Sequence, residues 1–168
     1  MRGLNGKPRV FIPIPPRERP IRRWATPVLF LLLWGCFVAA SLLPPGEQRR
    51  LLLEWGALSG DLRSLPELLA SLRDGHLARL VTALFLHADW AHLVGNLLFL
   101  LIFGAPAERA MGPWRFLALF LLGGAAANLA AVLAIGTPDR LIIGASGAVS
   151  ALIGAYLALF PPAPLGLV

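Results

Sequence analysis

The sequence predicts an all-α, polytopic transmembrane helical bundle, and three observations carry that reading. Of its 168 residues 57% are hydrophobic and only 14% charged, with a mean hydropathy of +0.72. That is too apolar for a soluble domain of this size. The charge is concentrated outside the long apolar runs. Four runs approach the roughly 20 residues a helix needs to cross a hydrocarbon core of about 30 Å, namely 27–43, 87–107, 114–135 and 141–160.

Residues 1–23 form a basic, proline-rich tail that lacks the composition of a folded core. Arg2, Lys7, Arg9, Arg17, Arg19, Arg22 and Arg23 all precede the first apolar run, and only Glu18 offsets them. Such a patch beside a membrane span sets topology and meets anionic lipid, so the tail is expected in the cytoplasm. The net charge of +6 and pI near 11.2 are therefore not read as a nucleic-acid footprint. The first span occupies 24–43, with Trp24 where an interfacial aromatic belt would place it. Its basic leader is long and Pro44-Pro45 follow without a cleavage site, so it reads as a retained anchor and not as a signal peptide. Cys36 is the sole cysteine, which excludes an intrachain disulfide and a cysteine metal site.

An outer loop, 44–86, follows. Within it Ser64-Leu65-Pro66-Glu67 reads as a capping box, and Leu65, Leu68, Leu69 and Leu72 make one apolar stripe. A short amphipathic helix on the outer membrane surface is expected there. Spans two and three are divided by Gly112-Pro113, with Trp114 at the start of the third. Spans three and four are divided by Gly136-Thr137-Pro138-Asp139. Arg109 and Arg115 then fall in a second cytoplasmic connection, in keeping with the positive-inside rule.

Three polar features stand out in this apolar chain. Gly144-Ala145-Ser146-Gly147 places a serine among glycines near a helix start, where backbone N–H groups are free. It is either a packing notch of small residues or a nucleophile. His92 and Asn96, four apart, share a helix face and could aim two donors at one developing negative charge. The bland alternative is hydrogen-bonded glue across the bundle. Gly104, Glu108 and Gly112 also lie on one face, and Glu108 opposes its own helix dipole. It needs a partner, for which Arg109 or Arg115 could serve, and reads as a structural latch between spans. His76, His87 and His92 do not match a zinc-binding i, i+4 pair with a glutamate base, so no metal is implied.

Taken in order, these residues resemble the rhomboid family of intramembrane serine proteases. The match runs from Arg79 and Thr82 through Phe85-Leu86-His87-Ala88-Asp89-Trp90-Ala91-His92-Leu93-Val94-Gly95-Asn96. It continues through Gly104-x-x-x-Glu108-x-x-x-Gly112 and closes on Gly144-Ala145-Ser146-Gly147-Ala148. The resemblance implies a nucleophile at Ser146 and an oxyanion site built from His92, Asn96 and the Ser146 backbone N–H. Arg79 would be the arginine of the family's membrane-lying first loop. Ala78 stands where the family often has a tryptophan, and Ser150 where some members have an aromatic ring. Pro106 is expected to bend the end of its helix. The family core has six spans, with the general-base histidine on the sixth. This chain carries four, and no histidine follows Ser146. The resemblance thus implies a truncated form, with 75–168 as a partial peptidase core. Gly147, Ala151 and Ala155 form a small-residue ridge expected to await the absent neighbour.

The expected function is an intramembrane serine endopeptidase that cleaves transmembrane protein substrates by a Ser-His dyad and uses no cofactor. Its base lies beyond Val168, so this form is expected to be inactive. A polar cavity lined by His92, Asn96, Ser146 and Ser150 would admit water. The alternative reading is a non-catalytic rhomboid-like membrane protein that binds or retains client transmembrane helices. The expected location is the lipid bilayer of a bacterial inner membrane.

Overall fold

The computed structural model describes residues 23–59, 73–135 and 140–161, together with Pro66, Leu69 and Ser71. The basic tail through Arg22 lies outside the described residues, as does most of the expected amphipathic helix. Of that helix Pro66, Leu69, Ser71 and Arg73 are helical, with Leu69 exposed and Ser71 buried.

Helix α1 (Ala25–Ser41) buries Ala25, Leu29, Leu33, Phe37 and Ala40, a stripe at nearly fourfold spacing. Helix α2 (Pro45–Trp55) was not expected from the sequence, although its signals are present: Pro45 opens the first turn and Glu47 complements the positive helix end. The two-residue strands β1 (Ala57–Leu58) and β2 (Leu141–Ile142) pair antiparallel, Ala57 opposite Ile142 and Leu58 opposite Leu141. Ser59 extends the tie, its N–H donating to the Arg140 carbonyl (3.0 Å) while the Arg140 N–H donates to Ser59 Oγ (3.0 Å).

Helix α3 (His76–Phe85) mixes 3-10 and α turns. It is held from both sides. Thr82 Oγ1 donates to the Trp55 carbonyl (2.7 Å), and Asn128 Nδ2 donates to the Leu80 carbonyl (2.8 Å). Helix α4 (Trp90–Met111) starts three residues later than the expected span because Asp89 caps it, Oδ1 accepting from the His92 N–H (2.8 Å). Its turn Leu100–Gly104 is widened into a π-helix. Pro106 explains this, since it lacks an N–H and its ring would strike the carbonyl of Ile102 in a regular α-helix. Gly112, at φ +84, makes the reversal into helix α5 (Pro113–Ala134). Phe116, Phe120, Gly124, Asn128 and Val132 form the buried stripe of α5.

Helix α6 (Ser146–Leu159) is shorter than the expected fourth span, 141–160. Hydropathy cannot distinguish Leu141-Ile142-Ile143 in a strand from the same residues in a helix. Gly144, at φ +110, then breaks any helix that would run through it. Among the described residues two helices, α4 and α5, have the length and apolarity to cross a membrane, with 22 residues each. At 1.5 Å per residue they reach about 33 Å, against about 25 Å for α1 and 21 Å for α6.

The core joins Leu29, Leu33 and Phe37 of α1 to Leu84 of α3, Leu93, Leu97 and Leu100 of α4, Phe116 and Phe120 of α5, and Ala148 and Leu152 of α6. The most extensive helix contact is α5 with α6. A Cβ on Gly147 would sit 2.5 Å from Ala127 Cβ, and one on Gly123 2.6 Å from Ala151 Cβ. The Gly147 and Ala151 part of the expected ridge is thus already filled by α5. The open face of α6 carries Ser146, Ser150, Gly154 and Leu157 instead.

Candidate active site

The candidate site lies where the first turns of α4 meet the turn before α6. The Asp89 cap fixes the start of α4, so that His92 is the third helical residue and Asn96 stands one turn on. Gly144 faces His92 directly. A Cβ at Gly144 would lie 2.5 Å from His92 Nε2, so the imidazole occupies the space a side chain would need. The left-handed Gly144 backbone is anchored by its N–H, which donates to the Ala83 carbonyl at 2.8 Å. Ser146 follows as the first residue of α6, with an exposed side chain. As a first-turn residue it has an N–H without a partner inside its own helix.

Asn96 is buried at 6% exposure, and its Nδ2 has no hydrogen-bond partner among the described residues. Leaving such a donor buried and unpaired costs about 1–3 kcal/mol, a cost expected of a group held for a ligand or a reacting atom. Ser150, expected in a polar cavity with Ser146, lies beside it on the exposed face of α6. Its Oγ donates to the Ser146 carbonyl at 2.9 Å.

His87 is the residue whose place the sequence left open. It falls in the connection 86–89 ahead of α4, buried at 2% exposure, with its ring edge-on to His92 at 5.1 Å between centroids. Its Nε2 faces the Ala145 N–H at 3.5 Å, a long contact. Burial first, and the neighbouring His92 second, hold its imidazole below the ordinary histidine value, so it is neutral. The signal available beforehand was Asp89, a capping residue ahead of an apolar run, which ends the helix short of His87.

The partner of Glu108 is neither Arg109 nor Arg115. Its buried carboxylate caps α1: Oε1 accepts from the N–H groups of Trp24 (2.9 Å) and Ala25 (2.8 Å). Oε2 accepts from the Thr26 N–H (2.9 Å) and Thr26 Oγ1 (2.7 Å). Pro27 has no N–H to satisfy, and Val28 already bonds the Trp24 carbonyl at 3.1 Å. Every free donor of the first turn of α1 is therefore accounted for. A negative charge is also the sign that this helix end favours. Gly104 and Gly112 bracket this latch: a Cβ at Gly104 would press on Phe116 at 3.3 Å, and Gly112 forms the turn into α5. Arg79 opens the α-helical turn of α3.

A family model described as the Rhomboid domain matches residues 74–167, more than half of the chain and all of this site. The chain belongs to the rhomboid family. Rhomboid-related protein 2 of Mus musculus is 31% identical over 135 residues, which cover 77% of this chain and 42% of the mouse protein. RHOMBOID-like protein 5 of Arabidopsis thaliana is 34% identical over 86 residues, 51% of this chain and 28% of that protein. Rhomboid-like protease 3 of Toxoplasma gondii is 40% identical over 80 residues, 48% of this chain and 30% of that protein. This rhomboid chain thus spans less than half the length of these relatives. The family generally comprises intramembrane serine proteases, and with the apolar α4 and α5 this rhomboid is an integral membrane protein.

Proposed function

We propose that this rhomboid chain carries the nucleophile and the oxyanion site of an intramembrane serine endopeptidase. Ser146 Oγ gives its proton to the base and attacks the carbonyl carbon of a peptide bond in a transmembrane substrate; the C–N bond breaks, the amine fragment leaves with that proton, and water hydrolyses the acyl-enzyme. The His92 ring, Asn96 Nδ2 and the Ser146 N–H donate to the oxyanion of the tetrahedral intermediate. The reaction needs a general base, which the resemblance assigns to a histidine of the family core, and none follows Ser146 in these 168 residues. The observation that carries this reading is the seating of His92 on Gly144, two residues before Ser146. The buried, unpaired Asn96 amide supports it, because glue across the bundle would leave that amide bonded.

The test compares this chain with a full-length form. A fluorophosphonate should label Ser146 in the full-length protein, and the label should vanish in Ser146→Ala. In the same protein Asn96→Ala should keep the fold and lower turnover by roughly 10- to 1000-fold, the usual cost of one oxyanion donor. Wild-type turnover in both Asn96→Ala and His92→Ala would instead favour the non-catalytic, client-binding reading. Strong Ser146-dependent labelling of the 168-residue chain alone would mean that a base is present within it, with His92 the first candidate, and the assignment of His92 to the oxyanion site would fall.

A further inference from the structure

A groove of about 600 Å3 separates the first two turns of α1 from the last turns of α4, with Phe30 and Leu31 on one wall and Leu101 and Ala105 on the other. On the α4 side it is lined by the π-turn residue Leu101 and by Ala105, whose side chain is a single methyl group. The groove also opens to the surroundings, since Leu31 is 64% and Leu101 46% exposed.

Its mouth has a different chemistry. Arg23 stands there, exposed, at the start of α1. The next residue, Trp24, packs edge-on against Trp114 at 5.1 Å, and Trp114 itself is 73% exposed. Tryptophans are enriched at headgroup level, and this pair lies at the starts of α1 and α5, where the chain enters the bilayer. Arg23 is therefore at the depth of lipid phosphates, and Leu31, eight residues on, lies about 12 Å deeper along the helix. One leaflet's hydrocarbon is roughly 15 Å thick, so the groove runs through most of it. Glu108 lies at this same end, but its carboxylate is buried and bonded to four donors at the start of α1. Among the described lining residues, the charge presented at the mouth is that of the guanidinium. The volume suits a single extended hydrocarbon chain and is too small for a helix 10–12 Å across.

We propose that this groove binds an anionic glycerophospholipid of the leaflet at the amino-terminal end of α1. One acyl chain lies along Phe30, Leu31 and Leu101, and the phosphate pairs with Arg23. The occupant is a membrane lipid and not free phosphate, because the apolar walls account for most of the groove and only a tethered chain uses them.

The experiment is native mass spectrometry of the chain released from micelles holding equal dioleoylphosphatidylglycerol and dioleoylphosphatidylcholine. Wild type should retain one lipid, preferentially the phosphatidylglycerol. Arg23→Gln should keep lipid bound but lower the glycerol-to-choline ratio about fivefold, the worth of one basic residue at a membrane surface. Leu101→Trp, which fills the groove from an exposed position, should lower retention of both lipids, and Ala105→Leu is an independent block. Circular dichroism identifies any variant that fails to fold, and the other block then decides. An unchanged ratio in Arg23→Gln, or wild-type retention in a folded block variant, would overturn the proposal. Inorganic phosphate at millimolar concentration should not displace the bound lipid, and displacement would mean that the site is a simple anion site.

Discussion

Gly144 has two independent reasons to lack a side chain: its φ of +110 and the His92 ring where its Cβ would be. Gly144→Ala should therefore lose about 1–3 kcal/mol of stability through backbone strain alone, and more if His92 is displaced. Gly154, in mid-α6, meets nothing within 4 Å, so Gly154→Ala in the same chain should be neutral or mildly stabilising. Thermal unfolding of both variants in detergent checks the contrast, and equal melting temperatures would refute the steric account. His87 adds a pH dependence. Its folded-state value is depressed, so as pH falls below about 6.5 the unfolded chain gains a proton that the folded chain refuses. Stability is complete above that pH and declines below it. His87→Gln should flatten the decline between pH 7.5 and 5, measured by melting temperature.

At the scale of elements, the Glu108 cap joins α4 to α1 through four hydrogen bonds. Glu108→Ala leaves those donors without a protein acceptor, and a loss of about 2–4 kcal/mol is expected. Glu108→Gln should fall between, since it keeps an acceptor oxygen but loses the charge. Urea-dependent proteolysis of the three proteins in micelles would rank them, and a Gln variant weaker than Ala would contradict capping as the mechanism. The sequence suggested Glu108 as a latch but not its partner, because the first turn of α1 offers backbone N–H groups and no charged side chain for a pairing rule to single out. Hydropathy placed α1 and α5 within two residues of their structural ends, since long apolar runs leave little choice of element. It missed α2, whose Leu51-Leu52-Leu53 is too short for a span, and it overran α6 because strand β2 is equally apolar. In the candidate site the spacing of His92 and Asn96 was legible as a shared face. The left-handed turn that brings Gly144 under His92 was not, as it depends on the β1–β2 pairing between residues more than eighty apart.

At the scale of the molecule, orientation follows from the basic tail: we expect residues 1–23 inside and the α2 segment outside. Single cysteines at Gly6 and Gly46 in a Cys36→Ala background test this in intact cells with an impermeant maleimide. Gly46 is exposed in α2, so the label can reach it. Labelling at 46 and not at 6 is the expected result, and the reverse pattern would invert the chain. The inversion would leave the internal architecture untouched, because every contact described here is within the chain.

The Glu108 cap also sets an order of events during synthesis. The amides it satisfies lie 82 to 84 residues earlier in the chain. At about 5–20 residues per second, roughly 4 to 17 seconds pass between the making of Trp24 and the making of its acceptor. For that interval the first turn of α1 must be served by water or lipid headgroups at the membrane surface. Until Glu108 is made, the amino-terminal end of α1 lacks the four hydrogen bonds that tie it to α4, so a ribosome pausing before residue 108 leaves a first helix without that tie.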